Sequence, residues 1–168
     1  MIRELPTRWK LRRCQLAGWS IHARGRIWIR GRGTVRLGEG VILDAAHYPI
    51  ELHAVESGSE IVIGDGVHIC GGTSIEAVQR VEIGARSRLG AFTKLMDNHF
   101  HAVRGDRHAR PPSAPVRVGE GVEIGGRAIL TAGAQIGSGA TIRPGTVITR
   151  RLRVPPGATA RGAPAVIE

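Results

Sequence analysis

The run MDNHFHAVRGDRHARPPSAP, residues 96 to 115, brings His99, His101 and His108 together with two aspartates and three arginines. Imidazole has an ordinary pKa near neutral pH, so a neutral histidine here suits a general base that takes the proton of an attacking hydroxyl. Asp97 is placed to orient such an imidazole and steady its charged form, and an aspartate at this point equally suits a plain turn. The double proline at Pro111 and Pro112 sets an extended path back toward Val116. A chain that only needed to turn has no use for this cluster.

The elements that hold this segment are legible from a period of six. Branched aliphatics recur at Val118, Ile124, Leu130, Ile136, Ile142 and Ile148. A second, smaller position is phased to them at Val122, Ala128, Ala134, Ala140 and Thr146. Neither an amphipathic helix nor an alternating strand has this period, whereas a short strand, a turn and another short strand do. Glycines such as Gly121, Gly133, Gly139 and Gly145 fall where those turns are needed. The phase continues upstream in Ile63, Ile69, Ile75, then Ile83, Leu89, Leu95, with an echo at Leu37 and Leu43. The spacing widens to eight between Ile75 and Ile83, which predicts a bulge, and to 23 between Leu95 and Val118, which predicts an expelled loop. The expectation is an all-β parallel solenoid whose aliphatics stack in rows. A helical array is the competing architecture, but its repeats run to tens of residues and this Gly, Val, Ile and Thr content suits strands and turns.

The stretch VRVGEGVEIGGRAILTAGAQIGSGATIRPGTVITR, followed by VPPGATARGAPAVI, resembles the hexapeptide-repeat acyltransferases, over residues 35 to 168. Within that superfamily it is most similar to the galactoside, maltose and polysaccharide O-acetyltransferases. The resemblance implies a left-handed parallel β-helix of triangular section, assembled as a homotrimer, with residues 1–34 as an N-terminal cap and 96–115 as an inserted loop. It also implies transfer of acetyl from acetyl-CoA to a sugar hydroxyl, in surface polysaccharide or lipopolysaccharide biosynthesis, by direct attack without an acyl-enzyme or a metal.

Two histidines match the family's catalytic position. Loop length counted back from Pro115 selects His99, whereas the pattern Asp97-Asn98-His99-Phe100-His101, similar to an Asp-x-Asp-x-His motif, selects His101. His101 is preferred and His99 kept beside it. For the coenzyme, the resemblance points to Gly126, Ala132, Thr149 and Arg150, with Arg151 and Arg161 as further phosphate partners, since guanidinium groups present paired donors to phosphate oxygens. On the acceptor side stand Cys70, Asn98 and Glu123. Cys70 occupies a position where family members often carry Asn, and Glu123 one where they carry Trp, so the acceptor side departs from the pattern.

Composition limits the other classes. The formal charge is +10, yet the basic residues are nearly all arginines spread along the chain, and the aromatics are few. Nucleic acid is therefore not expected as a partner, while a phosphate-bearing small molecule is. Two cysteines, Cys14 and Cys70, make neither a disulfide framework nor a zinc motif. Nothing reads as a secretory leader or a membrane span, which points to the cytoplasm. The basic, Trp-bearing first stretch fits a cap on the solenoid or peripheral contact with an anionic membrane. A γ-carbonic-anhydrase-like metal enzyme would draw on His99, His101, His108 and His68, and a non-catalytic solenoid would need none of them.

Overall fold

A computed structural model describes residues 7–18, 20–99, 112–150 and 152–168. Among these the one helix, Thr7–Lys10, is a single turn, and the rest is strand and turn. Each hexad makes the same local structure. In Glu123–Ile124, Ile129–Leu130, Gln135–Ile136, Thr141–Ile142 and Val147–Ile148 the second residue is buried and the first is not. Two residues suffice because a turn follows immediately and the next strand begins on a new face.

Strands pair in parallel with their counterparts one coil away, which lines the aliphatics into three columns. Leu37, Ile63, Ile83, Val118, Ile136 and Val154 fill the first face. Leu43, Ile69, Leu89, Ile124, Ile142 and Ala160 fill the second. Leu52, Ile75, Leu95, Leu130 and Ile148 fill the third. None of these side chains is more than 4 % exposed. The small phased residues Val122, Ala128, Ala134, Ala140 and Thr146 are wholly buried, where adjoining faces converge and leave room for little more than a methyl. The first face is a seven-stranded sheet, and the other two are continuous in a twelve-stranded one because Ile42–Ala54 runs through their corner unbroken. The fold is all-β, a left-handed parallel β-helix.

The coils begin upstream of the expected boundary at residue 35. His22–Gly31 pairs with Ile42–Ala54 from His22↔Ile42 to Gly31↔Ala54, and Gln15–Leu16 pairs with Thr34–Leu37. The hexad signal is weak here because an end coil has a neighbour on one side only, so Ile27 and Ile29 are only partly buried. Basic residues and Trp28 then take the outward positions in HARGRIWIRG. The segment before these strands is the actual cap. Leu11 is fully buried against the core. Arg13 donates to the carbonyls of Ile29 and Gly31, each at 2.8 Å, and Lys10 Nζ donates to that of Ala23 at 3.3 Å. Carbonyls with no further strand to meet thus find side-chain donors.

Candidate active site

The strand Lys94–Met96 lies between Ser74–Ala77 and Ile129–Leu130 and ends in a bend at Asp97. Asp97 is fully buried, and its carboxylate accepts three backbone N–H groups: Val78 at 2.7 Å, Gln79 at 2.6 Å and Arg80 at 2.7 Å. Those are the residues of the bulge that the eight-residue spacing predicts. The bulge breaks the ladder and strands its donors, and a carboxylate from the next coil satisfies them. The two irregularities in the repeat are therefore one device. Among the described residues Asp97 has an anchoring role, with both oxygens accepting backbone N–H groups.

The neck of the inserted segment is tied as well. Ala114 N–H donates to Asp97 O at 2.8 Å, and Gly133 N–H donates to Ala114 O at 2.9 Å. Gln79 Nε2 reaches Ser113 Oγ at 2.5 Å and Ser113 O at 3.2 Å. Asn98 turns inward and is 6 % exposed, its amide donating to Glu76 Oε1 at 2.9 Å. The other oxygen of Glu76 faces His53 Nδ1 at 3.6 Å.

His99, one residue on, is exposed and lines a cleft of about 620 Å³ at the corner between the third and first faces. Thr131 and Ala132 form its wall on one coil, Val147, Thr149, Arg150 and Leu152 on the next. Pro112 closes one side and the tail residues Pro164 and Ala165 another. The tail is held there by Val147 N–H, which donates to Gly162 O at 3.0 Å, and by Ala165 N–H, which donates to Val147 O at 3.3 Å. Among the described residues one imidazole, one exposed guanidinium and a largely apolar wall make a surface that suits a long, flexible ligand with an anionic end.

Of the candidate residues, His99, Ala132, Thr149 and Arg150 meet in this cleft. His101 and Arg151, and with them His108, lie outside the described residues. Gly126 sits at the other end of the third face, packed on the Ala91 carbonyl, and takes no part in the cleft. Arg161 pairs with the Glu168 carboxylate instead. Cys70 and Glu123 lie on the second face, in His68–Cys70 and Glu123–Ile124, so a single chain does not bring them to His99. Burial pushes the Cys70 thiol up, Asp44 adds to this and Arg88 opposes it, which disfavours a thiolate. Glu123 faces Arg88 at 3.8 Å. Sequence reading passed over Thr131, Val147 and Leu152. Thr131 and Thr149 follow Leu130 and Ile148 at the same phase one coil apart, a signal that was available.

The family model described as bacterial transferase hexapeptide (six repeats) matches residues 115–150, a stretch that supplies Thr131, Ala132, Val147, Thr149 and Arg150 to this cleft. This stretch carries the hexapeptide repeat that the family model describes. No curated protein matches this hexapeptide solenoid by sequence. In structure it is similar to AntD, an N-acyltransferase from Bacillus cereus solved as a mutant with dTDP-4-amino-4,6-dideoxyglucose and coenzyme A, at 16% identity and TM-score 0.74, covering 95% of this chain and 86% of that one. It is also similar to a hexapeptide-repeat containing acetyltransferase from Vibrio cholerae O1 biovar eltor complexed with acetyl coenzyme A, at 18% identity and TM-score 0.54, covering 94% and 72%. A maltose O-acetyltransferase from Clostridium difficile 630 matches at 22% identity and TM-score 0.53, covering 88% and 65%. At these identities the likeness establishes the fold. Among the described residues, no group of three or more His, Cys, Asp or Glu is placed to hold a metal ion.

Proposed function

We propose that this protein is an acetyl-CoA-dependent acetyltransferase acting on a sugar hydroxyl. The observation that carries the reading is the cleft at the root of the inserted segment, which sets the His99 imidazole beside Arg150 and the apolar wall of the last coils. The pantetheine arm lies along Ala132, Val147 and Leu152, with a phosphate on Arg150. A loop histidine, His99 or His101, takes the acceptor hydroxyl proton as the oxygen attacks the thioester carbonyl carbon. The tetrahedral oxyanion collapses, the carbon–sulfur bond breaks, and the imidazolium returns the proton to the leaving thiolate. Acetyl ester and free thiol are the products.

The same reading includes a homotrimer, in which the second face of one copy lies beside the loop of the next and brings Cys70 and Glu123 to the acceptor. It places the reaction in the cytoplasm, where acetyl-CoA is made, and in the assembly of surface polysaccharide. Similarity of the fold to transferases solved with coenzyme A or acetyl-CoA supports the donor.

Calorimetry of acetyl-CoA binding, followed by thiol release with a panel of sugars on wild type, His99→Ala and His101→Ala, tests the reading. Saturable binding with sugar-dependent thiol release that one substitution abolishes is expected. No binding at millimolar acetyl-CoA overturns it.

A further inference from the structure

The turn between the second and third faces carries an anomaly. At one turn position, four successive coils place Gly72, Phe92, Arg127 and Gly145 with φ of +79°, +61°, +59° and +72°. Backbone bonds link these turns coil to coil: Phe92 N–H donates to Gly71 O at 3.2 Å, Arg127 N–H to Ala91 O at 2.9 Å and Gly145 N–H to Gly126 O at 2.9 Å. Glycine adopts this left-handed conformation freely, whereas a bulky side chain there is strained. Phenylalanine is the wrong residue for the turn.

Nor does it serve the core. The chain has one tyrosine and two phenylalanines, and Tyr48 and Phe92 meet here on the outside, 52% and 41% exposed. Their ring centroids are 4.7 Å apart with planes tilted by 59°, which makes a notch rather than a flat stack. The ring of Phe92 reaches Tyr48 by folding across the intervening coil, and Gly72 makes that possible: a Cβ there would come 2.5 Å from Phe92 Cδ1. On the other side the Arg127 guanidinium lies 5.7 Å from the Phe92 centroid. Four residues on four coils thus yield an exposed aromatic notch flanked by a cation, at a position where the fold by itself favours glycine. Strain held at a surface site points to a use outside the fold.

We infer that Tyr48, Phe92 and Arg127 bind a nucleoside diphosphate group, the base against the two rings and the phosphates toward Arg127. Base faces stack on aromatic rings without regard to sequence, and the planar guanidinium pairs with phosphate oxygens. The formal charge of +10 favours an anionic ligand over a neutral sugar ring. Two sources offer this chemistry, a nucleotide-linked sugar as acceptor and the adenosine diphosphate end of coenzyme A. The geometry favours the acceptor. The coenzyme cleft lies at the far end of the third face, and the five residue steps from the turn at Phe92 through the strand Lys94–Met96 to Asp97 span at most roughly 16 Å, about the reach of a stretched nucleotide sugar. Naming the acceptor in this way rests on the transferase reading, whereas binding itself does not.

The test is calorimetric titration of the uridine, thymidine, guanosine and cytidine diphosphates, and separately of acetyl-CoA, into wild type and Phe92→Gly, with melting temperature and oligomeric state measured for both. Glycine is the relaxed residue at this turn, so the variant is expected to melt no lower than wild type. The expected result is about a tenfold loss of affinity for one of the diphosphates with acetyl-CoA binding unchanged. Loss of acetyl-CoA affinity instead confirms the notch as a nucleotide site and transfers it to the coenzyme. Three results overturn the inference: no nucleoside diphosphate binds and acetyl-CoA affinity is unmoved, a lowered melting temperature shows the ring to be a packing element, or only the oligomeric state changes, which makes the notch a contact between copies. Absence of acetyl-CoA binding by wild type defeats the transferase reading alone and leaves the diphosphate arm readable.

Discussion

The third face of the β-helix ends in two corners built on opposite plans. At the loop corner the chain adds length: the repeat opens after Leu95, and Asp97 binds the added segment to the bulge at residues 78–80 through three backbone hydrogen bonds. At the aromatic corner the turns at Phe92 and Arg127 keep the hexad spacing, and an unfavourable residue is placed in an ordinary turn. The first plan lets the chain leave the repeat and return to it, with His99 set in the cleft against the later coils. The second keeps the coil length and stores strain in the turn. Added length disturbs a spacing pattern and is found by counting, whereas strain at constant length leaves the pattern intact and is found only from dihedral angles.

The contrast can be broken in several ways. Under the proposed transferase reading the largest effect is expected at the loop corner: His99→Ala or His101→Ala, whichever residue serves as base, lowers kcat in a thiol-release assay by about 10²- to 10⁴-fold without moving the melting temperature. Asp97→Ala is expected to fail differently, because it strands three backbone donors and frees the root of the loop. A loss of about 3 kcal/mol in urea unfolding is expected, with activity falling alongside. If Asp97→Ala were as stable as wild type but inactive, the anchor reading would fail and the carboxylate would belong to the chemistry. Gly72→Ala tests the other corner. It forces a side chain to φ +79° and into the Phe92 ring, and about 1–3 kcal/mol of destabilisation follows. Repeating it in the Phe92→Gly background removes the collision and leaves the backbone part, so a double-mutant cycle shows coupling of about 1 kcal/mol.

Arg150→Ala is expected to raise KM for acetyl-CoA about tenfold with kcat preserved, the pattern of a binding contact that does not change in the transition state. The smallest effect lies outside both corners. Burial pushes the Cys14 thiol up from 9.0 to about 12, with Arg13 opposing. The neutral thiol is therefore favoured by folding. Its contribution is whole below pH 9 and declines as pH rises toward 12, because the unfolded chain ionises first. Cys14→Ala should flatten that alkaline loss in a stability profile.

The columns of aliphatics were legible because burial recurs at fixed arc lengths and the residues that fill it are chemically alike. Corners were not, since each coil has three and hexad spacing does not say which corner a turn belongs to. Gly126 and Ala132 are six residues apart and therefore sit at successive corners, which is why only Ala132 reached the cleft. The segment that left the register marked His101 first and His99 beside it, and of the two His99 is among the described residues and lines the cleft. Asp97 was legible as important, as an orienting carboxylate or a turn residue, but its three bonds to the bulge were not, because a spacing pattern counts residues and not stranded N–H donors. Tyr48 and Phe92 are 44 positions apart, and no local pattern joins them. The first strands escaped notice because a coil with one neighbour has half a core to fill.

A parallel solenoid that simply stops presents a row of backbone acceptors that another chain can complete, and each addition renews the offer. Such an object has no natural length and polymerises. The guanidinium of Arg13 occupies two of those acceptors, on Ile29 and Gly31, with Leu11 seated beneath. One side chain thereby fills two open valences of the lattice and makes this edge a poorer template for a further strand.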